Sequence, residues 1–329
     1  MPACGPEGFV ADVMSAPEWL WVAAGRLADG DYDWPQARVA DRIVLAGMGS
    51  SYYAAASVAQ RLRASGFNAV AELASTDGTW PADRRTLVVA VSASGASPET
   101  CSFLDRYRSV SPTVALTNVA GSPLTQCADH TVEMAAGVEG GGVACRTYRH
   151  TLVALTAMVA QLTNTDRQLI DRVKQAAAAT STLLAERDQW LGDVVDLLDG
   201  PGVCALMAPA ERLASAQQGS LMIREVPRKV AVGSETGDWS HVDVYLTKST
   251  DYRALVFTGS RWETEAARWL TERGSKVVAV GGGFPGAHRV VRYSGDEDRY
   301  VALLTEITVA ELVAAAMWTT SAENPDRPV

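Results

Sequence analysis

The sequence has little histidine. Only 4 occur in 329 residues, and His130, His150, His241 and His288 stand far apart. Cysteine is nearly as scarce. Cys4, Cys101, Cys127, Cys145 and Cys204 include no pair at a C-x-x-C spacing, and their number is odd. Neither set has metal-ligand spacing, and an odd, scattered set of cysteines reads as reduced, mostly buried thiols. No run of basic residues occurs, and the formal charge of -9 argues against a nucleic-acid partner. No apolar run is read as long enough to span a membrane, and the N-terminus lacks a basic-then-apolar secretion signal. These absences point to a cytoplasmic protein with no membrane partner, and nothing in the residues requires a cofactor.

What remains is an ordinary folded composition, 47% hydrophobic and 20% charged, in a chain long enough for two full cores. Short apolar runs alternate with helical patterns, which implies an α/β fold with parallel sheets covered on both faces. In the first half, strands are expected at 42–48, 69–73, 87–92, 112–117 and 130–134. A charged, alanine-rich helical stretch follows at 166–198, and the alternation then restarts. Strands are expected at 203–207, 229–232, 254–258, 276–280 and 289–293, with a closing helix at 299–319. The reading is a helical segment at 1–35, a first α/β domain at 36–165, a linker helix at 166–198 and a second domain at 199–329. Two halves of one plan imply a diverged tandem repeat.

The stretch Leu87–Thr100, LVVAVSASGASPET, organises the first half. A buried strand runs into Ser92, Ser94 and Ser97, and Pro98 and Glu99 are helix-start signals. Small hydroxyl residues therefore sit where a strand ends and a helix begins. Unpaired backbone N–H groups and the positive end of the helix dipole there suit a phosphate, even on an acidic protein. The plainer account is a polar loop with an N-cap serine.

Gly47-Met48-Gly49-Ser50-Ser51 also follows a strand and precedes a helix. It is a partial match to a dinucleotide fingerprint, but Tyr52 occupies the third glycine position, so a dehydrogenase reading rests on Gly47 and Gly49 alone. Ser50 and Ser51 suit a sugar or phosphate oxygen as well as a helix cap. Two serine loops at the carboxyl edge of one parallel sheet make a hydroxyl-lined site where α/β sheets bind ligands.

GMGSSYYAA, VAVSASGASPET and GGGVACRTYRHTLVAL together resemble the SIS (sugar isomerase) domain family, close to the isomerase half of glucosamine-6-phosphate synthase and to fructosamine-6-phosphate deglycases. The resemblance implies two tandem SIS domains, each a flavodoxin-like, three-layer αβα sandwich. It implies a phosphosugar substrate, with Ser50 and Ser51 on the sugar, Ser92, Ser94 and Ser97 on the phosphate, and the Val143 backbone lining the pocket. In the second half, QQGSLMIREV and GDWSHVD resemble the segments that carry the family's catalytic glutamate and histidine. Glu225 would then move a proton between C1 and C2, and His241, from the partner subunit of a homodimer, would assist ring opening.

That division of labour is chemically coherent. A partly desolvated carboxylate can shuttle a proton between neighbouring carbons near neutrality, and histidine suits acid–base work at a ring oxygen. The departures from the family are Ala93 in place of a glutamine, Ala96 in place of an acid, Ser97 in place of a threonine, and Met222 in place of a lysine. Cys4 lacks a glutaminase motif. The expectation is a phosphosugar isomerase or deglycase rather than a glutamine-dependent synthase, with a non-catalytic sugar-phosphate binding protein as the alternative.

Overall fold

The structure, a computed structural model, describes residues 5–323; Cys4 and the proline-containing tail from residue 324 lie outside the described residues. The chain divides into two compact units. One comprises Glu18–Val138 and Ala144–Lys174; the other comprises residues up to 17, Glu139–Val143 and the chain from Gln175 on.

The first unit is built on five parallel strands: β1 (Arg42–Gly47), β2 (Ala69–Leu73), β3 (Thr86–Ser92), β4 (Thr113–Thr117) and β5 (His130–Glu133). Their order is β2-β1-β3-β4-β5. Every residue of β3 and of β4 is buried, as their unbroken apolar runs require of strands covered on both faces. Each fully buried Leu or Val contributes about 1.5–3 kcal/mol, so β3 anchors this core. Helix Ser50–Ala64 follows β1 and helix Pro98–Asp105 follows β3. The chain leaves β1 toward β2 on one side and reaches β3 on the other, so the strand order reverses between β1 and β3. Parallel sheets of this order bind ligands in the crevice at that reversal.

The second unit repeats the plan with β6 (Val203–Ala208), β7 (Ala231–Glu235), β8 (Tyr252–Phe257), β9 (Lys276–Val280) and β10 (Arg289–Val291), in the order β10-β9-β8-β6-β7. All its pairings are parallel. Helix Leu213–Glu225 presses closely on β6 at Gly219, where a Cβ would lie 2.5 Å from a Leu206 methyl and 2.9 Å from the Ala310 Cβ. Any larger residue at 219 would push the helix off the sheet.

Several elements differ from the sequence reading. The strand expected at 229–232 lies at Ala231–Glu235, because Arg228 takes a left-handed φ of 56° and the Lys229 N–H is still bonded to the Ile223 carbonyl, 3.1 Å away. The stretch read as one helix over 166–198 is three pieces, Asp166–Ala185, Arg187–Gln189 and Leu191–Leu198. The closing helix is two, Arg299–Thr305 and Ile307–Glu323. The sequence reading found no run long enough to span a membrane; Arg299–Thr320 is long and apolar enough by composition, and it is mostly buried inside the protein as a core helix. Of the described cysteines, Cys145 and Cys204 are buried and Cys101 and Cys127 half-buried, and none is in a disulfide.

Candidate functional site

The register of the first sheet sets two serine loops side by side. Gly47, the last residue of β1, is the partner of Val91 in β3, one residue before Ser92. Neighbouring strands are about 4.8 Å apart, so the chain leaves both strands at one level, flanking the reversal point. Gly49 precedes the first helix at φ 51°, a left-handed value suited to glycine, and turns the chain sharply enough to start Ser50–Ala64 at once. Ser50 and Ser51 are half-buried in its first turn, and their hydroxyls have no protein partner among the described residues.

The second loop is folded around its own hydroxyls. The Ser92 Oγ accepts from the Gly95 N–H at 3.1 Å and the Ser94 Oγ from the Ala96 N–H at 3.3 Å. The Ser97 Oγ caps helix Pro98–Asp105, accepting from the Thr100 N–H at 3.3 Å and donating to the Glu99 carboxylate at 2.9 Å. Glu99 is fully exposed, and bonds from its own backbone N–H and from Ser97 hold its carboxyl below the usual range. It can swing away from an incoming anion without leaving a buried charge. Ser92 is buried and Ser94 exposed, so Ser94 presents the accessible hydroxyl of the loop.

Two residues that the sequence reading passed over brace this edge. Ser122, in the loop after β4, is 5% exposed; its Oγ has no partner and lies under Gly95. Asn118 ties the next loop: its Nδ2–H donates to the Gly137 carbonyl at 2.7 Å, and its Oδ1 accepts from the Ala136 N–H at 2.8 Å. An asparagine just past a buried strand is a weak signal in sequence, because the bonding depends on residues 18–19 positions away.

The five serines thus belong to one unit. Val143, Glu225 and His241 belong to the other. Val143 lies in the glycine-rich segment 139–143, which is held by the buried Asp12 of helix Pro6–Met14. The Asp12 carboxylate accepts from the Gly140 N–H at 3.1 Å and the Gly141 N–H at 2.7 Å. Glu225 ends helix Leu213–Glu225 and is accessible to solvent. Partial desolvation nevertheless raises its pKa against the pull of the adjacent Arg224, the direction a carbon base working near neutrality requires.

His241 is exposed in a turn anchored from three sides. The Glu235 carboxylate accepts from the Gly237 and Asp238 N–H groups, both at 2.8 Å. The buried Trp239 donates to the Tyr252 hydroxyl at 2.7 Å, and Ser234 donates to Asp243. Glu225 and His241 flank β7 from opposite ends. The helix that carries Glu225 runs back to the amino edge of the sheet, where Ile223 bonds Lys229; His241 follows the carboxyl end of the strand. Five residues of strand separate those edges by roughly 13 Å.

Residues 37–161 match the family model described as SIS domain. The chain is 25% identical over 316 residues to the glutamine–fructose-6-phosphate aminotransferase (isomerizing) of Pyrococcus horikoshii, covering 88% of this chain and 50% of that protein. It spans about half the length of the curated relatives it matches. Among solved structures, the C-terminal domain of glucosamine-fructose-6-phosphate aminotransferase from Francisella tularensis superposes with a TM-score of 0.80 at 17% identity, covering 95% of this chain and 96% of that one. Tagatose-6-phosphate ketose/aldose isomerase from Escherichia coli gives 0.80 at 14% identity, with 100% and 97% covered. At such identities the superpositions establish a shared α/β fold with two parallel sheets.

Proposed function

We propose that this SIS-domain chain binds a sugar phosphate at its two serine loops and is an enzyme of the phosphosugar isomerase or deglycase type. The observation that carries the reading is the pairing of Met48–Ser51 and Ala93–Ser97 at the strand-order reversal of one parallel sheet. Hydroxyls and helix N-termini converge there, and the acid of the second loop, Glu99, is exposed. Ser92, Ser94 and Ser97 are assigned to the phosphate, Ser50 and Ser51 to the sugar, and the Val143 backbone to the pocket wall.

In the proposed reaction Glu225 takes a proton from one of C1 and C2 of the open-chain sugar and returns it to the other. On a C1-amine adduct of the ketose, loss of a C1 proton, gain of one at C2 and passage of the amine N–H proton to O2 yield the C1 imine. Water then cleaves it to aldose phosphate and free amine. His241 would donate and accept the ring-opening proton. Its place at the opposite edge of β7 from Glu225 favours delivery by a second copy of the chain, and so a homodimer. Residues 199–329 would be a second, diverged SIS domain, which the repeated strand order supports.

The test is exchange of solvent deuterium into C1 of fructose 6-phosphate and of a fructosamine 6-phosphate, and into C2 of the aldose phosphate formed from each. Wild type should exchange, and Glu225→Gln should lose at least about a hundredfold, as removal of a general base does. Equal exchange in the variant would remove Glu225 from the mechanism. Tight binding with no exchange in wild type would favour a non-catalytic sugar-phosphate binding protein, the reading that Met222 in place of a lysine supports.

A further inference from the structure

The second sheet has its own reversal point, between β6 and β8, and a cavity of about 450 Å³ opens there. That volume is within the roughly 300–1,000 Å³ of small-molecule sites. Loops from the carboxyl ends of four strands line it: Glu211 and Arg212 after β6, Gly259 and Glu263 after β8, Gly281–Gly283 after β9, and Arg292–Arg299 after β10. The whole lining belongs to one unit.

The charges in this wall exclude the ligand expected in the first half. The backbone N–H groups of Gly259 and Ser260, in the loop topologically equivalent to the first half's serine loop, are already occupied by the Glu263 carboxylate; the Ser260 bond is 2.8 Å. A phosphate would have to displace that carboxylate. The guanidiniums are also matched. Arg212 pairs with the buried Glu306, Arg292 with Asp296, and Arg299 with Glu211 at 3.4 Å. Glu297 lies beside Asp296 and shares Arg292 with it, so the lining sets four carboxylates, Glu211, Glu263, Asp296 and Glu297, against three guanidiniums, Arg212, Arg292 and Arg299, and the wall has an excess of negative charge. The remaining surface is polar: glycine backbone, guanidinium edges and carboxylates. Beside the lining Gly281, the buried phenol of Tyr293 is 8% exposed and has no hydrogen-bond partner; a Cβ on Gly281 would lie 3.7 Å from it.

We infer that the cavity at the β6/β8 reversal is a second ligand site, distinct from the serine loops, for a small polyhydroxylated primary amine. The ammonium is held by Glu297 and Glu263 and the hydroxyls by the arginine edges and the Gly281–Gly283 backbone. A surplus carboxylate attracts a cation and repels an anion.

The test is amide chemical-shift titration of Gly281, Gly282 and Gly283 in the full chain with glucosamine, N-acetylglucosamine, glucose 6-phosphate and inorganic phosphate. Glucosamine should give saturable shifts. N-acetylglucosamine, without the charge, should bind about tenfold more weakly. Neither phosphate compound should shift these amides. Glu297→Gln should weaken glucosamine about three- to tenfold. Gly283→Trp should abolish it, because a side chain there enters open space and the backbone is not left-handed. Ser94→Ala should change none of these shifts, which separates failure of this site from failure of the first. Shifts caused by either phosphate compound, equal binding of the acetylated sugar, no response to glucosamine, or a glucosamine response that survives both cavity variants would overturn the proposal.

Discussion

Gly95 and Ser122 meet beneath the serine loop with no room for another atom: a Cβ on Gly95 would fall 2.0 Å from the Ser122 Oγ. Gly95 also takes a φ of 63°, which costs an L-residue about 1–2 kcal/mol. Gly95→Ala should therefore lower stability by more than about 2 kcal/mol and weaken sugar-phosphate binding together with it. Adding Ser122→Gly should recover the overlap with Ser122 but neither the contact with the Thr117 Oγ1, 2.8 Å from the added Cβ, nor the φ part. Thermal melts of the two variants check this. Full recovery in the double variant would show that backbone strain is not a factor.

The Asp12 carboxylate organises the segment that carries Val143. Two backbone N–H groups depend on it in a buried place, and each bond to a charged acceptor is worth about 1.5–3 kcal/mol. Asp12→Ala should raise hydrogen exchange at Gly140 and Gly141 and destabilise the chain by about 2 kcal/mol or more. Asp12→Asn, which keeps one acceptor oxygen, should fall between. Exchange rates equal to wild type in Asp12→Ala would show that the segment is held by other contacts.

Ser97 caps helix Pro98–Asp105 and joins Glu99 to the loop. Ser97→Ala should cost about 1 kcal/mol of stability, read by urea unfolding. Ser97→Asp should restore the cap yet impair phosphate binding, since it places a second negative charge where the anion docks. Equal losses of stability and binding in both variants would make Ser97 a cap and nothing more.

Two buried groups give the units opposite responses to pH. Burial lowers the pKa of His150, in the first unit, to about 4, its Nδ1 lying 2.7 Å from the Met134 carbonyl. A base with a depressed folded pKa binds fewer protons folded than unfolded. Its contribution is therefore present above the unfolded value near 6.5 and is lost as pH falls toward 4. Burial raises Glu306, in the second unit, to about 7 against the pull of Arg212. An acid with a raised folded pKa binds more protons folded, so stability is lost as pH rises from about 4.5 toward 7. Glu306→Gln should flatten the fall with rising pH, and His150→Gln should flatten the fall with acid. Urea unfolding between pH 4.5 and 8 checks both, and identical pH slopes in wild type and variant would contradict the assignment.

Most of the fold was legible because its signals are local. β2 and β9 fall where the apolar runs at 69–73 and 276–280 put them, and the Ser97-Pro98-Glu99 start signal opens a helix at Pro98. β7 was displaced because a left-handed Arg228 lets the chain keep turning after Glu225, and nothing in an arginine announces that conformation. The break at residue 306 was equally hidden. Glu306 is buried there against Arg212, 94 positions earlier, which pairs with it. At the candidate site, the serines could be read from strand-to-helix junctions. Asp12, Asn118 and Ser122 could not, since their roles come from residues the fold brings to them.

The central claim is that the loops after β1 and β3 hold a phosphorylated sugar, and calorimetric titration of fructose 6-phosphate tests it most directly. Wild type should bind fructose 6-phosphate, with fructose itself much weaker and inorganic phosphate competing. Ser94→Ala should lose about tenfold or more, the worth of one hydrogen bond to a charged group. Binding of equal strength in wild type and Ser94→Ala, or no binding of fructose 6-phosphate to the wild-type chain, would contradict it.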